Sequence, residues 1–152
     1  MNTLVRGGVA GAIATGSMSA VIAGAKLGGL VHLPPPKQIA RRAGKKLGFD
    51  ISKLPEPAFR TLWLGAHLGY GITCGIGYSL VVRGFLPGRP EIRGLLFGEA
   101  LWAIGYLGFL PGLGLYPPPD DDSSSRTAVM IVAHAVYGVT AAITEAELDQ
   151  SM

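Results

Sequence analysis

The chain reads as an all-α protein, a four-helix transmembrane bundle built from two parallel helical-hairpin repeats. Three observations predict this. Charged residues make up only 15% of the 152 residues, where an ordinary soluble domain carries about 25%. Four stretches are apolar over close to the roughly 20 residues that cross a bilayer. A Gly-rich apolar run, a proline triplet and a His-x-x-Tyr-Gly motif follow one another twice. A soluble protein this small needs charge to cover its surface, so much of this surface is expected to face lipid. Hydrocarbon offers no partners to free backbone N–H and C=O groups, so the crossing segments are expected to be helical.

The first span is residues 7–25, free of charge and followed by Lys26, whose long side chain is expected to reach the interface. Its start resembles a secretory signal, but the run is Gly-rich and weakly apolar for one, so it is read as an uncleaved helix. Pro34, Pro35 and Pro36 are expected to stop this helix and set an extended stretch. Ile39, Ala43 and Leu47 then recur at four-residue spacing, with Arg41, Arg42, Lys45 and Lys46 on the other faces. That pattern predicts a basic amphipathic helix near 37–48, with those four cations against an anionic membrane surface.

The second span is 61–82, interrupted by His67, and the turn-rich loop 83–94 follows. The third is 94–116 and contains Glu99; the fourth is 127–144 and contains His134. Between them, 117–126 reads as a solvated loop, and the acidic end after Thr144 reads as a fraying tail. The whole chain, 1–152, is expected to form one domain, with repeat one over about 5–82 and repeat two over about 94–144. Gly65/Gly69, Gly71/Gly75 and Gly94/Gly98 are spaced by four, as close helix crossings in lipid require. The Trp and Tyr residues are expected to fill gaps or sit near the interfaces.

Orientation follows from Lys and Arg. The side with the proline loops carries eight, Lys37 to Arg60 plus Arg126; the side with both termini carries four, Arg6, Arg83, Arg89 and Arg93. The excess places the proline loops in the cytoplasm and both termini outside. A net charge of +3 is too small to suggest nucleic acid, and the lone Cys74 reads as a packing residue.

Ionisable groups at membrane depth are costly and often functional. Here they are His67, Glu99 and His134, with Tyr70 and Tyr137 as polar companions. Both histidines lie on the order of 10 Å from the proline-loop ends of their helices, at about 1.5 Å per residue. Facing imidazoles could hold haem b between His67 and His134. Glu99 could complete a metal site, or the three could line a proton or solute path. Against these stands a purely packed role, in which each His bonds a helix carbonyl or the Tyr of the other copy. The packed role is favoured, so no metal or catalytic residue is assigned. No phosphate-binding Gly loop and no nucleophile–base motif is present, and no enzyme is expected.

The stretches "GEALWAIGYLGFLPGLGL", "PPP" and "MIVAHAVYG" resemble the uncharacterised small bacterial four-helix membrane proteins, a group that includes YagU-like inner-membrane proteins. The resemblance implies a bacterial inner-membrane location and four helices, and no known reaction. The function expected is that of a non-enzymatic accessory or scaffold subunit of a larger membrane complex, or a homo-oligomer. Its partners would be the bilayer and a membrane protein or a second copy. The alternatives are a small transporter or channel component using His67, Glu99 and His134, and a bis-histidine haem protein.

Overall fold

Residues 1–151 are described by a computed structural model, apart from the side chains of Ser52 and Pro119. Met152, part of the expected 1–152 domain, lies outside the described residues. The described chain is all-α. The helices are α1 (Thr3–Leu27), α2 (Pro35–Lys46), α3 (Glu56–Gly77), α4 (Pro90–Ala103) and α5 (Ser124–Gln150). A π-helical turn, Tyr78–Val82, carries α3 on to Arg83–Phe85; another, Ile104–Phe109, carries α4 on to Leu110–Gly112. Pro111 explains the second: it has no N–H to return to the carbonyl four residues back, and a widened turn absorbs the lost bond.

Local chemistry sets the ends. The Asn2 side chain accepts the Val5 N–H at 2.9 Å and caps α1. The helix stops at Gly28–Gly29, where Gly29 takes φ +75°. The proline triplet therefore does not end α1 as expected. Pro35 and Pro36 open α2 instead, since a helix's first turn has no use for their missing N–H groups. Ser123 caps α5 by accepting the Arg126 N–H.

Hairpins α1/α3 and α4/α5 each run antiparallel, and α5 also packs along α1. The crossings are built on glycine. A methyl on Gly11 would strike the Gly71 carbonyl, and one on Gly94 the Gly138 carbonyl. Gly71/Gly75 and Gly94/Gly98 thus do what their spacing suggested. Gly65 and Gly69 do not: both face open space on the outside of α3.

The core between α1 and α5 includes Ala14, Met18, Ile22, Val31, Met130, Ala133 and Ala141. The larger apolar side chains point outward: Val9 and Ile13 on α1, Leu62, Leu64 and Leu68 on α3, Leu95, Leu96 and Leu107 along α4. Small residues inside and branched ones outside suit a lipid solvent. Three helices, Thr3–Leu27, Pro90–Gly112 and Ser124–Gln150, are long and apolar enough to cross a membrane. The expected second span falls short in apolarity. Its helix begins with Glu56 and Arg60, carries His67, and is filled with glycine and aromatic residues of little hydropathy.

The expected fraying tail is instead the last two turns of α5, with Glu145 1% exposed. Charge pairing holds it. Arg6 Nε donates to Glu145 Oε1 at 2.7 Å and Arg83 Nη1 donates to the same oxygen at 3.3 Å. Both guanidiniums also bond Asp149.

Candidate functional site

The π-helical turn that follows α3 meets α4 at the end where the chain termini lie, with the Tyr78 and Phe97 rings 5.2 Å apart. Toward the other end a cavity of about 360 Å³ lies between them. Its walls are Trp63, Ala66 and His67 of α3 and Leu101, Trp102 and Tyr106 of the α4 segment. Thr15 and Met18 of α1 with Met130, His134 and Tyr137 of α5 form the floor. Ile39, Ala40 and Ala43 of α2 form the roof. The amphipathic helix thus turns its apolar stripe onto the bundle rather than only toward lipid. Arg41, Arg42, Lys45 and Lys46 remain outside it, the first with its guanidinium 5.1 Å from the centre of the Phe59 ring. The Lys37 ammonium bonds Glu56 at 3.1 Å and fastens α2 to the start of α3.

Both expected histidines reach this cavity, one from each motif copy. His134 Nδ1 donates to the Met130 carbonyl at 2.8 Å, so the neutral ring keeps the free lone pair of Nε2. His67 Nε2 is buried without a partner among the described residues. The two indole N–H groups of Trp63 and Trp102 are likewise buried and unpartnered. Such atoms each cost roughly 1–3 kcal/mol when left unpaired. Tyr78 OH, Ser79 Oγ and Arg93 Nε, toward the other end, are also unpartnered among the described residues.

Glu99 does not join them. It does not line the cavity, and its carboxylate forms no hydrogen bond among the described residues. No group of three His, Cys, Asp or Glu side chains able to hold a metal occurs among the described residues. The expected mutual His–Tyr latch does not form among the described residues: His134 bonds the Met130 carbonyl instead. Tyr137 OH donates to the Gly71 carbonyl at 2.6 Å, while Tyr70 is 59% exposed at the cavity's rim. Phe109, on the π-helical turn that continues α4, is 61% exposed, so the mouth opens on the bundle's flank, where the apolar side chains point.

The loop expected to be solvated is anchored. Asp122 is enclosed, pairs with Arg126, and accepts the Tyr106 hydroxyl at 2.8 Å. Burial alone would push the Asp122 carboxyl up; the Arg126 and Tyr106 hydrogen bonds outweigh it and hold the carboxyl below the usual range. Tyr106 stacks on Trp102 at 5.5 Å and 18°, so this pair supports the cavity wall.

Sequence reasoning missed the indole donors, the Asp122–Arg126 pair and the Arg6–Arg83–Glu145–Asp149 cluster. Glu145 and Asp149 stand four apart on one helix face, beside the ends of two spans that each carry an Arg. That spacing was the available signal.

The model of the family of unknown function DUF6789 matches residues 1–151, and the chain belongs to that family. No curated protein and no solved structure matched the chain.

Proposed function

We propose that this family member is a non-enzymatic, multi-pass membrane protein that holds a small lipid-soluble molecule between α3 and α4, as an accessory subunit of a membrane assembly. One observation carries the reading: the cavity of about 360 Å³ receives a histidine from each motif copy and opens on the apolar flank. That volume falls within the about 300–1,000 Å³ of small-molecule pockets.

In this reading α3 is a fourth crossing helix. At 22 residues it is about 33 Å long, and its outer leucines suit lipid. The chain is then a duplicated hairpin. Gly11 and Gly94 each stand 23 residues ahead of a proline triplet, and each packs on the glycine that closes a His-x-x-Tyr-Gly motif. The Lys and Arg excess favours proline loops in the cytoplasm, and Arg6 and Arg83 on the other side are neutralised by Glu145 and Asp149. A bacterial inner membrane is what the YagU-like resemblance implies.

The test is extraction. Full-length protein isolated in native lipid discs should carry about one apolar molecule per chain, identified by mass spectrometry. Ala40→Trp, which fills the cavity from its roof, should remove it. A cavity that holds only bulk phospholipid, equally in both proteins, would refute the reading.

A second reading has its own support. His134 is held through Nδ1, the way a ligating imidazole is usually oriented, and His67, whose Nε2 has no partner among the described residues, lines the same cavity. Haem b between them would give a Soret band that disappears in both His67→Leu and His134→Leu. A colourless protein that stays colourless with added haemin excludes it.

A further inference from the structure

Resting on the membrane reading above, and independent of what the first cavity holds, we infer that a second cavity binds the phosphate head of an anionic phospholipid drawn from the bilayer. This cavity, of about 380 Å³, lies where the proline-loop ends of α1, α2 and α3 converge. Its mouth is charged and its depth is not. Lys26 stands on the last turn of α1, Lys37 on the first turn of α2, and Glu56 and Arg60 on the first two turns of α3. Beyond Lys26 the lining continues along α1 with Ala23, Ile22 and Ser19; beyond Arg60 it continues along α3 with Leu64 and His67. Ser19 and His67 each stand seven residues from the cation on their own helix, about 10 Å along its axis.

Charge says what the mouth takes. Among the described residues that line it, three Lys and Arg side chains accompany one carboxylate. Lys37 already engages that carboxylate, its ammonium 3.1 Å from Glu56. Lys26 and Arg60 form no hydrogen bond or ion pair among the described residues. Two uncompensated cations match a phosphate monoester, which carries about −1.5 to −2 charges near neutral pH. The Arg60 guanidinium has the fork that suits phosphate oxygens. A zwitterionic head would bring its own cation beside Lys26 and Arg60. Inorganic phosphate would satisfy the mouth and leave the apolar depth uncovered, whereas a phospholipid satisfies both. Leu64 is exposed, so the depth opens on the flank where an acyl chain continues into lipid. Basic pockets between spans on the cytoplasmic side take phosphorylated lipid heads in this way, and the Lys and Arg excess puts the proline loops on that side.

The experiment is native mass spectrometry of the full chain in neutral detergent, titrated with dioleoylphosphatidate, dioleoylphosphatidylcholine or glycerol phosphate. Phosphatidate should bind at about one per chain and at least about tenfold more tightly than phosphatidylcholine. Glycerol phosphate should not bind at the same concentrations. Lys26→Gln/Arg60→Gln should bring the two lipids within about threefold of each other with the melting temperature unchanged, since both side chains are exposed. Arg42→Gln/Lys45→Gln removes the same charge from the outside of α2 and should keep the preference. An equal loss in both double variants, or a parent without preference, would overturn the site and leave the membrane and first-cavity readings standing. Glycerol phosphate bound as tightly as phosphatidate would overturn the lipid as occupant. A chain that stays in solution without detergent would overturn the membrane reading together with this one.

Discussion

The two copies of His-x-x-Tyr-Gly begin from the same residues and end in different roles. Gly71 and Gly138 do the same work, each closing a helix crossing. The rest diverges. On α5, Tyr137 is 4% exposed and bonds the Gly71 carbonyl, and His134 is tied to Met130. On α3, Tyr70 is mostly exposed and His67 Nε2 has no partner. The cause is position. α5 lies between α1 and α4, covered on both flanks; α3 packs chiefly along α1, with α2 against it. The same motif thus packs tightly where neighbours surround it and keeps an exposed Tyr and an unpartnered His where they do not.

The comparison breaks most severely if α5 loses its anchorage. Glu145→Ala leaves Arg6 buried beside a lost partner, so stability should fall by about 3–5 kcal/mol, seen as a lower melting temperature of the purified protein. An unchanged melt would mean that the cluster does not hold α5.

Adding a methyl at the two equivalent glycines sharpens the contrast. Gly138→Ala meets the Gly94 carbonyl and Gly98 backbone, which cannot rotate away; Gly71→Ala meets chiefly the Thr15 side chain. Both should destabilise by about 1–3 kcal/mol, with Gly138→Ala clearly the worse in the same melts. The reverse order would place the tighter crossing in the first hairpin.

Removing each motif hydroxyl should separate the copies further. Tyr137→Phe should cost about 1 kcal/mol, and Tyr70→Phe no more than about 0.5. Equal losses would contradict this division of roles between the two tyrosines.

The smallest effect distinguishes how the two motif helices begin. α5 starts under the enclosed Asp122–Arg126 pair, whereas Glu56 at the start of α3 is more than half exposed. Because the Asp122 carboxyl is held below its usual value, its contribution is present at neutral pH. It should fade below about pH 4 as acid approaches and passes the lowered value. Melting at pH 6 and pH 3 should differ less in Asp122→Asn than in the parent. An identical pH response would show that the pair is not what acid disrupts.

Much of this was legible beforehand, because period and composition act locally. The four long helices, the amphipathic α2 and the glycines of both crossings could be read from spacing alone. Gly65/Gly69 show the limit: they share the four-residue spacing of Gly71/Gly75 yet face outward, since spacing marks a helical stripe and not which way it points. Glu99 and Glu145 show another. The one in the apolar stretch was only an alternative partner for the histidines and stays apart from them; the one near the end was expected to fray and is among the most buried charges. Burial of a charge depends on whether distant segments bring its partner, as Arg6 is brought to Glu145 across nearly the whole chain.

The residues by themselves determined a helical chain with too little charge for a watery surface, because backbone satisfaction and side-chain solvation need no knowledge of the fold. They also determined where helices begin and end, through Asn2, Gly29, the prolines and Ser123. Tertiary structure alone decided that α3 and α4 part toward the proline loops, that α2 roofs the gap, and that two indoles and a histidine of residues lining it find no partner among the described residues. Those outcomes depend on how helices lean on one another, a balance of contacts between residues far apart in sequence, which no local pattern encodes.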